Sequence, residues 1–93
     1  MEAAVQEVRT EHKFSVTVLF NGVPRAFEVE PEETVQALLT RALHAFGITA
    51  QQHTYGLFPV GGTAELSPHL SLKAAGVKPG EELILRPRAV AGG

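Results

Sequence analysis

One change of hydrophobic period between residues 14 and 46 restricts the fold more than any other feature of this sequence. Phe14, Val16, Val18 and Phe20 alternate with Ser15, Thr17 and Leu19. A two-residue period rich in β-branched and aromatic side chains marks a half-buried strand. Asn21-Gly22 follows, a pair that accepts the two positive φ angles of a tight hairpin turn. A return strand is expected over residues 25–30, with Phe27 and Val29 on one face, Glu28 and Glu30 on the other, and Pro31 as its stop. Then the period switches. Thr34 is the expected N-cap of a helix, with Glu32 and Glu33 beside its positive end. Val35, Leu38, Leu39, Ala42, Leu43 and Phe46 recur at spacings of three and four, which gives one apolar stripe over residues 34–46. Gly47 is expected to end the helix in the left-handed region, with Ile48 packing back over the last turn.

The second half is strand-like in shorter pieces. Tyr55-Gly56-Leu57-Phe58 reads as a third strand stopped by Pro59, and Gly61-Gly62-Thr63 as a turn. Glu65-Leu66 is expected to add at most a minimal edge strand. Leu70, Leu72 and Val77 read as anchors in irregular chain. Pro79-Gly80 turns into a closing strand, Glu82-Leu83-Ile84-Leu85-Arg86, with Leu83 and Leu85 toward the core. Pro87 lacks a backbone donor and is expected to end ladder pairing there. Residues 1–12 show no alternation and read as a flexible extension, residues 13–88 as the domain, and residues 89–93 as a flexible tail ending in Gly92-Gly93.

A sheet with one helix across one face buries both apolar surfaces in two layers. The expected fold class is therefore α+β, a mixed four- or five-stranded sheet crossed by one helix. The last strand fits best at the sheet's centre, beside the first and parallel to it, which is the β-grasp arrangement. The chain has 93 residues, a size that supports one core. Net charge is −2, with every acidic residue a Glu, so non-specific nucleic-acid binding is not expected. There is no cysteine, hence no disulfide framework and no thiolate nucleophile or metal ligand. The first residues lack the pattern of a signal peptide, and no apolar run approaches the ~18 residues of a membrane span, so a cytoplasmic location is expected. His12, His44, His53 and His69 are scattered without ligand spacing, and Gly61-Gly62 lacks the Lys-Ser/Thr of a phosphate loop. The Glu28/Glu30/Glu32/Glu33 cluster is explained by solvation and the helix dipole. No catalytic site and no metal site is expected.

From Phe14 to Gly93 the chain resembles ubiquitin and its relatives. The resemblance rests on Phe27-Glu28-Val29-Glu30-Pro31, Thr34-Val35 and Gly47-Ile48, then on Leu66, Leu72, Gly76-Val77, Gly80 and Leu83-Ile84-Leu85 before an arginine-bearing tail and Gly-Gly. It departs from ubiquitin in a longer loop from Pro59 to Glu65 and a slightly longer tail. The positions that match ubiquitin's exposed apolar patch are Gly56 and Arg86, so that patch is expected to be absent and receptors that grip it to bind poorly. Lys13, Lys73 and Lys78 do not fall where the family carries its chain-linking lysines. These departures, with a high alanine content, suggest a divergent relative from a bacterial system.

What the resemblance implies is a protein modifier and not an enzyme. An activating enzyme would use ATP to adenylate the Gly93 carboxylate, a conjugating enzyme would carry it as a thioester, and a target lysine would receive it. A deconjugating peptidase would reverse the bond. Gly92 and Gly93 would be the conjugated residues, and Arg88 and Arg86 the residues read by the activating enzyme. No cofactor, nucleic acid or membrane enters this scheme. Two other readings stand beside it. The ending Ala89-Val90-Ala91-Gly92-Gly93 is similar to that of sulfur carriers, which finish as a thiocarboxylate. A non-conjugated interaction module, its Gly-Gly a frayed end or one exposed by cloning, is the third.

Overall fold

A computed structural model describes residues 13–88. Strand β1 runs Phe14–Phe20 and β2 Val23–Val29, joined by Asn21 and Gly22 at φ 52° and 80°. Both central residues are left-handed, which is the two-residue hairpin turn that the Asn-Gly pair favours. The pairing runs from Phe20↔Val23 to Phe14↔Val29, so the return strand starts two residues earlier than its side-chain pattern suggests. Pro24 is tolerated there because β2 lies at the sheet edge.

Helix α1 spans Val35–Ala45. Its first amides find partners from two directions. The Thr34 hydroxyl accepts the Ala37 N–H at 3.1 Å. The Val35 and Gln36 N–H groups instead donate to the carbonyls of Leu70 and Pro68, at 2.9 and 3.1 Å. Those donors have no partner within a helix, so the distant loop completes the cap. Neighbouring bonds from Leu72 N–H to Glu33 and from Lys73 N–H to Pro31 stitch the same loop across the helix entry. At the other end Gly47 sits at φ 74°, its N–H on His44, while the Ile48 N–H reaches back to Leu43 at 2.9 Å. This pair of bonds is the Schellman termination expected of Gly47.

A 3-10 turn, Gln52–Thr54, leads into β3, Tyr55–Pro59, and the last strand is β4, Glu82–Pro87. The sheet has four strands in the order β2-β1-β4-β3. Strand β4 lies parallel to β1 and antiparallel to β3. This is the central placement expected of the closing strand. Glu65-Leu66 does not become a fifth strand; a single bond, Leu66 N–H to Leu57 at 2.9 Å, ties it to β3.

Val16, Val18, Val29, Val35, Leu38, Leu39, Ala42, Leu43, Leu57, Leu72, Val77, Leu83 and Leu85 form the core between helix and sheet. Full burial of each Val or Leu side chain among them contributes ~1.5–3 kcal/mol. Phe27 and Phe46 were expected inside but are half-buried. Phe46 stands at the helix C-cap, where its ring meets Phe20 at 5.4 Å, and Phe20 meets Tyr55 at 6.2 Å. These aromatics close one end of the core. Phe27 lies on the edge strand under the Arg41 guanidinium, 5.6 Å from its ring centre. Arg41 is held by Glu33 at 2.9 Å. Leu70 is no anchor: its side chain is 41 % exposed, and what it contributes is the carbonyl that caps α1.

Candidate functional site

The end of β4 was the expected partner surface. Successive strand side chains alternate between faces, so Leu83 and Leu85 point to the core while Ile84 and Arg86 point outward. On β3, Leu57 faces the core, and Gly56 and Phe58 lie on the outer face beside them, in the register Gly56↔Arg86 and Phe58↔Ile84.

Arg86 lies over Phe58, its guanidinium carbon 4.0 Å from the ring centre. The flat cation covers the flat ring, and Phe58 is only 5 % exposed although it faces away from the helix. Gly56, which matches a position of ubiquitin's exposed patch, is also covered. The Glu65 side chain lies against it, close enough that a Cβ at position 56 would stand 2.5 Å from Glu65 Oε2. The loop after Pro59 is what brings Glu65 there.

Strand β4 does not stop before Pro87, which pairs with Tyr55. Alternate amides of a strand point to opposite neighbours. The Arg88 N–H donates to the Thr54 carbonyl at 2.7 Å, so the position where Pro87 lacks a donor faces the other flank. There β1 pairing has already ended, at Leu19↔Ile84. The ladder therefore loses nothing at the proline.

Arg88 is half-buried and held on three sides. Its Nε donates to Glu65 Oε2 at 2.6 Å, its guanidinium donates to the His53 carbonyl, and its backbone bonds Thr54. Arg86 and Arg88 thus both end in contacts within the domain, one on a ring and one on a carboxylate. The sequence reading missed Glu65, Phe58 and the His53 carbonyl. One signal was present: a glycine inside a strand marks close approach by another group. The expected flexible extension 1–12, the tail 89–93 and the conjugated residues Gly92 and Gly93 lie outside the described residues. Among the described residues, no helix is long and apolar enough to cross a membrane.

A mixed sheet with a terminal strand at its centre and one helix across its face defines the β-grasp class. No protein-family profile matches the sequence, and no curated protein matches it either. Solved structures do. The ubiquitin of Caldiarchaeum subterraneum is 25 % identical over 86 % of this chain and 99 % of its own, with a TM-score of 0.69. A designed protein based on ubiquitin is 19 % identical over 88 % and 96 %, with a TM-score of 0.71. The N-terminal ubiquitin-like domain of the 4931431F19Rik protein is 15 % identical over 88 % and 81 %, with a TM-score of 0.69. This chain is a divergent ubiquitin-like β-grasp protein.

Proposed function

We propose that the chain is a protein modifier, joined to targets through the Gly93 carboxylate. The observation that supports this most is where the sheet releases the chain. Central strand β4 carries it to Arg88 at the domain's margin, and Ala89-Val90-Ala91-Gly92-Gly93 follows, with no side chain larger than Val. Five residues fully extended reach ~17 Å at about 3.3–3.6 Å each, enough to enter a channel in a partner. The glycines keep the tip free of side chains.

In this reading the Gly93 carboxylate attacks the α-phosphorus of ATP in the activating enzyme, and pyrophosphate leaves. A cysteine thiolate of that enzyme displaces AMP to form a thioester, and a conjugating enzyme's cysteine thiolate then displaces that first thiolate to take over the acyl group. A target lysine amine displaces the thiolate, loses a proton and keeps the acyl group as an isopeptide. A deconjugating peptidase hydrolyses it. Every catalytic group belongs to a partner, and the domain is the substrate. Arg86 and Arg88 are the residues an activating enzyme meets beside the tail.

The ending in Val-Ala-Gly-Gly favours a second reading, a sulfur carrier, which shares the adenylate and differs in its product. The chain ending at Gly93 is incubated with ATP, candidate activating and conjugating enzymes, a target protein and inorganic sulfide, and its intact mass is read. Replacement of oxygen by sulfur identifies the carrier. A thiol-resistant covalent adduct on a target identifies the modifier. Removing Gly92 and Gly93, or placing a bulky residue at 93, abolishes both. If the shortened chain transfers as well as the intact one, both readings fall and a non-conjugated interaction module is left.

A further inference from the structure

The side chain that covers Gly56 is the one that holds Arg88. Glu65 Oε2 is 2.6 Å from Arg88 Nε, and the pair is partly sheltered, with side-chain exposures of 25 % and 32 %. The His53 carbonyl takes a second donor of the same guanidinium, and the Thr54 carbonyl takes the Arg88 N–H. Space at position 56 is what admits the carboxylate. A Cβ there would stand 2.5 Å from Glu65 Oε2 and 2.7 Å from its carboxyl carbon. These atoms are the far end of a flexible side chain, so a residue larger than glycine at 56 would expel them and leave the strand in place.

We infer that Gly56, Glu65 and Arg88 form a latch that holds the root of the C-terminal segment against β3. The closed latch withholds the Arg88 guanidinium from partners. A partner that reads Arg88 has to displace Glu65, and therefore carries a carboxylate in a pocket that reproduces the pair, with a further acceptor in place of the His53 carbonyl. A surface of diffuse negative charge gains little, because Arg88 is already neutralised by a bond to a fixed acceptor. Glu65 is thus a positioning residue that acts through Arg88. Only the identity of the partner rests on the modifier reading; the latch belongs to the fold.

Trypsin tests it, since that protease draws an arginine into a carboxylate-floored pocket and cuts the following bond. The full chain offers Arg88-Ala89, whereas Arg86 is followed by Pro87. Limited digestion is followed by intact mass, reading loss of residues 89–93 in the parent, Glu65→Gln, Gly56→Ala and the double variant. Each single variant is expected to lose the segment on the order of fivefold faster, the effect of releasing one partly exposed ion pair. Cleavage after Arg25 in β2 and Arg41 in α1 stays at the parent rate. The double variant is no faster than the faster single one, because both changes open one latch. The inference is overturned if Glu65→Gln is cut at the parent rate, if cleavage at Arg88 rises only in step with Arg25 and Arg41, or if the two changes multiply. No activating enzyme takes part, so failure here leaves ATP-dependent transfer untouched, and failure of transfer leaves the latch standing.

Discussion

Truncating Leu38 and Leu39 separately to alanine should give unequal losses, although they are neighbours on one helix and both are buried. Leu38 is 0 % exposed and Leu39 2 %. Leu38 is enclosed between α1 and the sheet. Leu39, with Leu43, also lines a groove bounded by Gln36, Thr40, Gln52, His53 and Arg88. A Leu→Ala change in a core costs ~2–5 kcal/mol, and the position within that range depends on how much cavity remains. At Leu39 the void opens toward the groove, where Gln52 and water can fill it, so the loss should be ~2–3 kcal/mol. At Leu38 nothing can collapse inward, and ~4–5 kcal/mol is expected. A chain of this size has roughly 5–14 kcal/mol to lose, so Leu39→Ala stays folded at 25 °C while Leu38→Ala approaches the margin. Urea unfolding of both variants measures the difference, read at an unchanged m-value so that it reports stability alone. An equal loss, a larger loss for Leu39→Ala, or either loss below about 1 kcal/mol would refute the placement of the helix face.

Thr34→Ala should cost only ~1 kcal/mol by urea melt, because one capping bond is lost while Pro68 and Leu70 keep theirs. Gly47→Ala should cost ~1–2 kcal/mol from the positive φ alone, since a Cβ there meets nothing within 4 Å; an unchanged Tm would show that the helix does not end in the left-handed form. Arg86→Ala should cost ~0.5–1 kcal/mol and uncover Phe58, read as increased binding of a hydrophobic dye; unchanged dye binding would mean that something other than the guanidinium covers the ring.

The hairpin and the helix were legible because their signals are local. Asn21-Gly22 fixes its turn by the φ angles its residues accept, and the stripe from Val35 to Leu43 fixes a face by spacing alone. The central place of β4 was legible by elimination, since no other position buries Leu83 and Leu85 against the first strand. The cap on α1 from Pro68 and Leu70 was not, because it is made of backbone carbonyls that every residue carries. For the same reason Leu70 was read as a side-chain anchor. The outer face failed differently. Position by position, Gly56 and Arg86 read only as the loss of an apolar patch. What covers Gly56 arrives from a loop whose path no periodicity describes, and the ring under Arg86 lies diagonally across a strand pair that only register reveals. The internal partners of the candidate contact residues Arg86 and Arg88 needed the fold.

The strand order carries a consequence for synthesis. Among the described residues, strand β3 pairs with β4 alone, and β1 has β4 along its inner flank. Until residues 82–87 are available outside the ribosome, β3 is unpaired and one flank of β1 is bare. The hairpin and helix can form in that interval, yet Val16, Val18 and Leu57 have no finished layer to enter. Folding therefore waits for residues 82–87 and then completes as a unit, the behaviour expected where non-local pairing closes a sheet. A chain cut short before β4 leaves an exposed strand edge, a substrate for chaperones and proteases, and not a shortened but usable domain.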